Sequence, residues 1–250
     1  MYFVQITDIH LFADTERILS GPEVNPDQQF RKLLTHLQHL SPQPDFVLVS
    51  GDITDLAEQE AYHHFDTLMQ PLGIPYYWLP GNHDDALLMR ALCPGLQVRQ
   101  TGCVAMGQVA LCMLDSSVPG KSHGLLSSQS LAQLQENLTR HRDKTCLLAL
   151  HHPPIPTDTW MDPFMLQNSA ELFEVIDQHP QVKAVMFGHI HTDRTWQRNG
   201  VQYWVTPASS YQLQMTPSTA QYAVSSTQPG YRKVCVLPDG RLQTTVVWVA

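Results

Sequence analysis

No stretch of this chain approaches the ~20 consecutive apolar residues that a membrane-crossing helix needs, so no such helix is expected. Positive charge is scarce: 15 Lys and Arg stand against 23 Asp and Glu, a formal net charge of −8. That balance argues against binding polymeric nucleic acid, which requires a basic surface. A small anion is still within reach if metal ions supply local positive charge. Charged residues make up only 15% and hydrophobic ones 43%, which excludes a disordered or highly charged tail. No C-x-x-C pair occurs among the five cysteines (Cys93, Cys103, Cys112, Cys146 and Cys235), so a thiolate metal site is not expected. Cys112, Cys146 and Cys235 lie in strand-like runs and read as small buried hydrophobes with reduced thiols. No basic leader precedes the strand pattern Tyr2-Phe3-Val4-Gln5-Ile6, and a cytoplasmic location is the expectation.

What is present is an alternation of strand and helix patterns over the first two-thirds. Strands are expected at Tyr2–Ile6, Phe46–Val49, Tyr76–Leu79, near Gln97–Ala105, at Val109–Leu114, Cys146–Leu150 and Val182–Phe187. Between them fall helices at Gln28–Leu40, Ala57–Leu72, Asp85–Leu92, Ser127–His141 and Ser169–His179. In the first, Phe30, Leu33, Leu34, Leu37 and Leu40 recur at helical spacing, which makes one face apolar. Ser127 or Ser128 suits an N-cap, and Asn168-Ser169-Ala170-Glu171 resembles a capping box. From about residue 193 the pattern turns to short strands: Arg194–Arg198, Val201–Thr206, Ala220–Ser225, Tyr231–Leu237 and Gln243–Val249. Asn199-Gly200 and Asp239-Gly240 are hairpin signals. With 250 residues and no linker or repeat, one domain of two packed sheets flanked by helices is expected.

Five clusters of metal-seeking side chains follow the apolar runs: Asp8-Ile9-His10, Gly51-Asp52, Gly81-Asn82-His83-Asp84, His151-His152 and Gly188-His189-Ile190-His191. Strand ends gather distant positions into one crevice, where open α/β sheets bind ligands. Each cluster has an ordinary reading of its own. Asp52 could cap a helix or make an Asx-turn, Asn82-His83 could be a plain turn, and D-x-H alone is a weak signal. Of His151 and His152, only one should face a site, and His151 directly continues its strand. His36, His39, His63, His64, His123, His141 and His179 read as surface or packing residues. Hard oxygens mixed with imidazoles suit a hydrolytic centre of two divalent cations.

Taken in order, D-x-H, G-D, G-N-H-D, H and G-H-x-H resemble the signature of calcineurin-like metallophosphoesterases, over roughly residues 2–206. The segments Gln5–Phe12 and Leu79–Asp84, Asn168, and Pro229-Gly230-Tyr231-Arg232 further resemble bacterial class III cyclic nucleotide phosphodiesterases, the 3′,5′-cyclic AMP enzymes above all. The resemblance implies a four-layer α/β/β/α sandwich. It implies that Asp8, His10 and His191 hold one cation, that Asn82, His151 and His189 hold the second, and that Asp52 bridges both. The cations would lie ~3.5–4 Å apart, with Fe²⁺ or Mn²⁺ favoured and Zn²⁺ or Co²⁺ compatible with the ligands.

The implied activity is hydrolysis of cyclic AMP to 5′-AMP by a metal-activated hydroxide. Asp52 and His83 would be the catalytic residues, and His10, Asp52, Asn82, His83 and His191 would surround the substrate phosphate. Trp160 or Tyr211 could stack on a purine or could equally be core, and Asn168 could touch substrate or cap its helix. A glycerophosphodiesterase is the nearest alternative. A non-catalytic scaffold of the same fold is the more distant one, since that would be expected to have lost ligands that are all present here. A homodimer is compatible with the sequence.

Overall fold

Period-two alternation along the strands decides the layers. The computed structural model of the protein describes residues 1–92, 98–99, 102–217 and 222–250. In chain order its elements are β1 (Tyr2–Ile6), α1 (Pro26–Gln38), β2 (Phe46–Ser50), α2 (Gln59–Met69), β3 (Tyr76–Leu79), α3 (Ala86–Leu92), β4 (Val98–Arg99), β5 (Gly102–Met106), β6 (Val109–Met113), α4 (Ser128–Arg140), β7 (Thr145–Ala149), α5 (Ser169–Asp177) and β8 (Val182–Phe187). There follow β9 (Arg194–Arg198), β10 (Val201–Val205), β11 (Gln212–Leu213), β12 (Val224–Ser226), β13 (Gly230–Val236) and β14 (Leu242–Trp248).

Val4 and Ile6 of β1, with Val47 and Val49 of β2, face helices α1 and α2 and pack on Phe30, Leu33, Tyr62 and Phe65. The intervening Phe3, Phe46 and Leu48 face the other way and meet Leu111, Leu147, Ala149, Met186 and Trp204 of a second sheet. That sheet turns its alternate residues, Cys112, Leu148, Val185 and Tyr203, onto Leu131, Leu134 and Leu138 of α4 and Leu172 and Ile176 of α5. Helices, sheet, sheet, helices: the expected four-layer sandwich is what forms.

The first sheet runs β14-β13-β1-β2-β3-β4 and the second β5-β6-β7-β8-β10-β9. β1 to β4 are mutually parallel, as are β6, β7, β8 and β10; β13 and β14 extend the first sheet by antiparallel pairings, and β5 and β9 are antiparallel edges of the second. All the carboxyl ends of each parallel set therefore point one way. Across the seam, the buried Gln5 amide donates to Ser50 Oγ (2.8 Å) and to the Phe187 carbonyl (3.2 Å). Its oxygen accepts from Thr206 Oγ1 at 2.6 Å, so one side chain ties both sheets. Buried Arg232 does similar work, donating to Asp193, Thr244 Oγ1 and the Val205 carbonyl.

Several expectations need correcting. The strand expected near Gln97–Ala105 is two strands, β4 in the first sheet and β5 in the second, so the chain changes sheets there; residues 97, 100 and 101 lie outside the described ones. The start of Ala220–Ser225 also lies outside, and β12 occupies Val224–Ser226. Helix α2 stops at Met69 and a 3₁₀ turn, Gln70–Leu72, completes it, because Pro71 cannot donate to the α pattern. The expectation of free thiols fails for two residues: Cys103 and Cys112 stand opposite each other on β5 and β6 and are disulfide-bonded. Cys146 is free and buried, Cys235 is free and half-buried, and Cys93 lies outside the described residues. Asn199-Gly200 makes the expected two-residue hairpin, with φ of 50° and 80°. Among the described residues no helix is long and apolar enough to cross a membrane.

Candidate metal centre

The loops that leave β1, β2 and β8 carry their functional side chains on strained backbone. Asp8, His10, Asp52, His189 and His191 have φ of 53°, 58°, 49°, 71° and 44°. For non-glycine residues this left-handed region costs of order 1–3 kcal/mol each and gathers at functional sites. Strand β1 ends at Ile6, so period-two alternation does not carry Asp8 and His10 to one face. Their common direction comes from the left-handed turns instead. Backbone hydrogen bonds lock these turns together, from Asp8 N to Gly51 O (3.0 Å) and from Ile9 N and His10 N to Asp52 O (2.8 and 3.0 Å). Gly81 allows the closest approach: a Cβ there would overlap the Asp52 carboxylate.

Of the seven expected donors, Asp8, His10, Asp52, His151 and His191 converge, His189 stands beside His151, and Asn82 lines the same cavity. His191 Nε2 lies 3.3 Å from Asp8 Oδ1 and 3.3 Å from His10 Nε2. His151 Nε2 lies 3.3 Å from Asp52 Oδ2 and 3.9 Å from Asp8 Oδ1, and His10 Nε2 is 3.8 Å from Asp52 Oδ2. Among the described residues four donor sets result: Asp8/His10/His191, Asp8/Asp52/His151, His151/His152/His189 and, nearer the surface, His10/Asp55/His83. Asp8, His10, Asp52, His151, His189 and His191 are all buried.

Outer partners fix the imidazoles. His10 Nδ1 meets Asp55 Oδ1 at 3.1 Å, His151 Nδ1 the Ser50 carbonyl at 2.9 Å and His191 Nδ1 the Tyr211 carbonyl at 2.9 Å. Donation from Nδ1–H leaves each Nε2 lone pair bare, the usual preparation of a metal-ligating histidine. His151 Nε2 and Asn82 Oδ1 are buried with no hydrogen-bond partner. Orphaned acceptors of this kind are costly without an ion to satisfy them, so the residues fit a pair of divalent cations.

The electrostatics agree. Burial alone would raise the pKa of Asp52, but His151, His83 and His10 outweigh it and hold the carboxyl well below its usual range. Asp8 is lowered likewise, burial being overcome by His191 and His151. Burial pulls His151 down, yet the Asp52 and Asp8 charges raise it to about 9 in the metal-free protein. Burial and the neighbouring His151 push His189 down to about 3.

His83 sits at the rim, its side chain 40% exposed. Its Nδ1–H donates to the Asp55 carbonyl (2.9 Å) and its backbone N–H to Asp52 Oδ1 (2.9 Å), which leaves Nε2 free. Partial burial lowers its pKa, but Asp52, Asp55 and Asp84 prevail and raise it. Asp55 escaped the sequence reading, and Asp84 was named in its cluster but given no role. Asp55, three residues after Asp52, props both His10 and His83. Asp84 accepts from the backbone N–H groups of Ile53, Thr54 and Gly81 and from Tyr62 Oη, so it fastens the Asp52 loop to the Asn82 loop. The G-D-x-x-D spacing and the final Asp of G-N-H-D were the available signals.

His10, Asp52, Asn82, His83, His189 and His191 form one wall of a cavity of about 190 Å³, which Trp160, Met161, Phe164, Tyr211, Leu213 and Ser122 complete. Trp160 and Tyr211 thus line the cavity while each also packs, partly buried, against a hydrophobic cluster. Asn168 stands at the N-cap of α5, but its side chain does not cap it. The amide instead pairs with the backbone N–H and carbonyl of Leu126, at 3.0 and 2.8 Å. His152 is buried beside His189 and not turned away from the centre.

Adjacent oxygen-and-imidazole donor sets at the strand ends of a two-sheet sandwich define a dinuclear metal-dependent phosphoesterase. Residues 1–193 match the calcineurin-like phosphoesterase family, and the chain belongs to it. It is 37% identical to a 3′,5′-cyclic-nucleotide phosphodiesterase of Nostoc sp. over 97% of this chain and 90% of that one. To the 3′,5′-cyclic adenosine monophosphate phosphodiesterase of Haemophilus influenzae it is 35% identical, over 97% and 88%. A dimetal phosphatase from Danio rerio shares the fold, with a TM-score of 0.68 at 14% identity over 100% of this chain and 99% of that one.

Proposed function

We propose that this phosphoesterase hydrolyses 3′,5′-cyclic AMP to 5′-AMP. The observation that carries the reading is that one cavity is lined both by metal donors and by the aromatic side chains of Trp160, Phe164 and Tyr211. The first suits a phosphate and the second a nucleobase. The 37% and 35% identical relatives, both named for cyclic nucleotides, support the same choice.

In this reading Asp8, His10 and His191 hold one cation, Asn82, His151 and His189 hold the other, and Asp52 lies between them. When bound, two divalent cations supply Lewis acidity and charge neutralisation for attack of water on phosphorus. Asp52, kept ionised by its histidine neighbours, turns Oδ2 towards both His10 and His151 while its Oδ1 anchors the His83 backbone. Asp55 holds the His83 ring by its carbonyl, so Nε2 is the atom that meets the substrate. A raised pKa keeps more of that ring protonated, and its Nε2–H donates to the phosphate or to the departing 3′ oxygen. Trp160, Phe164 and Tyr211 receive the base. Fe²⁺ or Mn²⁺ is the proposed metal, and the cytoplasm the proposed location.

The test is product identification. Mn²⁺-loaded protein is incubated separately with cyclic AMP, cyclic GMP and glycerophosphocholine, and products are resolved by chromatography. The expected result is 5′-AMP, without 3′-AMP. Cleavage of glycerophosphocholine with cyclic AMP left intact would refute the substrate.

A further inference from the structure

Four strands end the two large sheets: β14 and β4 in the first, β5 and β9 in the second. An open edge offers unpaired N–H and C=O groups to any other strand, and proteins guard it with shortness, charge, proline or bulges. β4 has two residues and β9 carries Arg194 and Arg198. β5 has five residues and follows residues 100 and 101, which lie outside the described ones. β14 has none of these guards. It runs seven residues, Leu242-Gln243-Thr244-Thr245-Val246-Val247-Trp248, without charge or proline, and pairs with β13 without a register shift.

The Asp239-Gly240 turn fixes which backbone groups of β14 face outwards. Leu237 N donates to Arg241 O at 2.9 Å, so that pair is a hydrogen-bonded one. Hydrogen-bonded and open pairs alternate along an antiparallel ladder, which makes Cys235–Gln243, Lys233–Thr245 and Tyr231–Val247 hydrogen-bonded too. At the far end Val249 N donates to Pro229 O at 2.9 Å, in the same phase. The N–H and C=O groups of Leu242, Thr244, Val246 and Trp248 therefore point away from β13.

We propose that β14 is the contact between two copies of this chain, paired antiparallel about a two-fold axis through Thr245. In that register Leu242 stands opposite Trp248 of the second copy and Thr244 opposite Val246, so every outward group of both strands is met. Moving the axis to Thr244 leaves Trp248 without an opposite strand residue, and moving it to Val246 does the same to Leu242. Leu242 and the 42% exposed Trp248 lie on one face, so an apolar pair closes each end of the contact. Charge favours this strand for self-association: the net charge of −8 repels copies, yet none of it lies on β14. At the centre Thr245 meets Thr245, a favourable cross-strand pair. β14 runs parallel to β1, since both are antiparallel to β13. The metal donors follow the carboxyl ends of the first sheet, so the axis sends the two cavities to opposite ends of the joined sheets and leaves both open.

Sedimentation of the full chain tests the contact. Wild type should sediment with twice the mass of the chain. Thr245→Lys sets two like charges directly opposite each other, and should sediment as a folded monomer with unchanged Mn²⁺ uptake. Monomeric wild type up to its solubility limit would overturn the proposal, and so would a Thr245→Lys variant that stays dimeric. Cross-linking reads the register independently of that variant. The Cα atoms of an open antiparallel pair lie about 4.5 Å apart, within the span of a disulfide. Oxidised Thr245→Cys should therefore run as a covalent dimer on a denaturing, non-reducing gel, whereas wild type and Gln243→Cys, which faces Val247, should not. A cross-link through Gln243→Cys, or none through Thr245→Cys, refutes pairing about Thr245.

Discussion

Replacing Asp84 by alanine should loosen the protein and its metal site together. The Asp84 carboxylate accepts from Gly81 N at 2.9 Å and from Ile53 N, Thr54 N and Tyr62 Oη at 3.1 Å. Alanine leaves these four donors without their acceptor. A hydrogen bond to a charged group contributes about 1.5–3 kcal/mol, and a buried donor left bare costs about 1–3. The residue is only half-buried, so water can replace part of the loss. Discounting to about 1 kcal/mol per donor gives a destabilisation of about 3–4 kcal/mol. For a chain of this size that is a drop of about 6–16 °C in Tm. It is also a large part of the ~5–15 kcal/mol that holds a typical domain folded. Because the same carboxylate fastens the Asp52 loop to the Asn82 loop, Mn²⁺ affinity should fall as well. Urea denaturation of the metal-free protein and calorimetric Mn²⁺ titration measure the two effects separately. An unchanged denaturation midpoint would refute the reasoning, because nothing else shown here satisfies those four donors. Lowered stability with wild-type metal affinity would mean that the two loops hold their positions without the clamp.

Other outcomes follow from the site. Proton release should accompany cation uptake: His151, raised to about 9 in the metal-free protein, is protonated at neutral pH and must lose that proton before Nε2 can bind. Affinity should therefore climb by up to about tenfold per pH unit between the ordinary histidine range and pH 9, then level off; uptake at pH 7 with no proton released in calorimetry across buffers would contradict this. His83→Ala should keep two metals by elemental analysis and lose about 10²–10⁴ in kcat, whereas Asp52→Ala should lose metal and activity together. Phe164→Ala should raise KM for cyclic AMP about three- to tenfold at unchanged kcat, the scale of one aromatic contact, and an equal rise for glycerophosphocholine would remove the base-stacking role.

How much of this was legible in the chain depended on the range of the interaction. The layers could be read because Phe3, Val4, Phe46 and Val47 alternate along their strands, and burial enforces that alternation. The seven donors could be read because strand ends are where distant loops must meet. The left-handed conformations of Asp8, His10, Asp52, His189 and His191 could not, since Asp and His enter that region more readily than most side chains but still rarely, and the packed surroundings decide where they do. Asp55 was missed for a related reason: its partner His10 is 45 residues away, and only the folded loops bring them within 3.1 Å. Asn168 had the correct position for a cap, but the nearby Leu126 backbone claims its amide. The Cys103–Cys112 bond depends on strand register across a short hairpin, which cysteine spacing alone does not reveal.

The seam carrying Gln5 has a further meaning. Asp8, His10, Asp52 and Asn82 leave the first sheet, while His151, His189 and His191 leave the second, so each proposed cation would draw on both. The two halves of the sandwich then behave like jaws of a vice, with the Gln5 amide as a pin set just behind the grip. A slip between the jaws by less than the length of one bond would spoil both coordination sets at once.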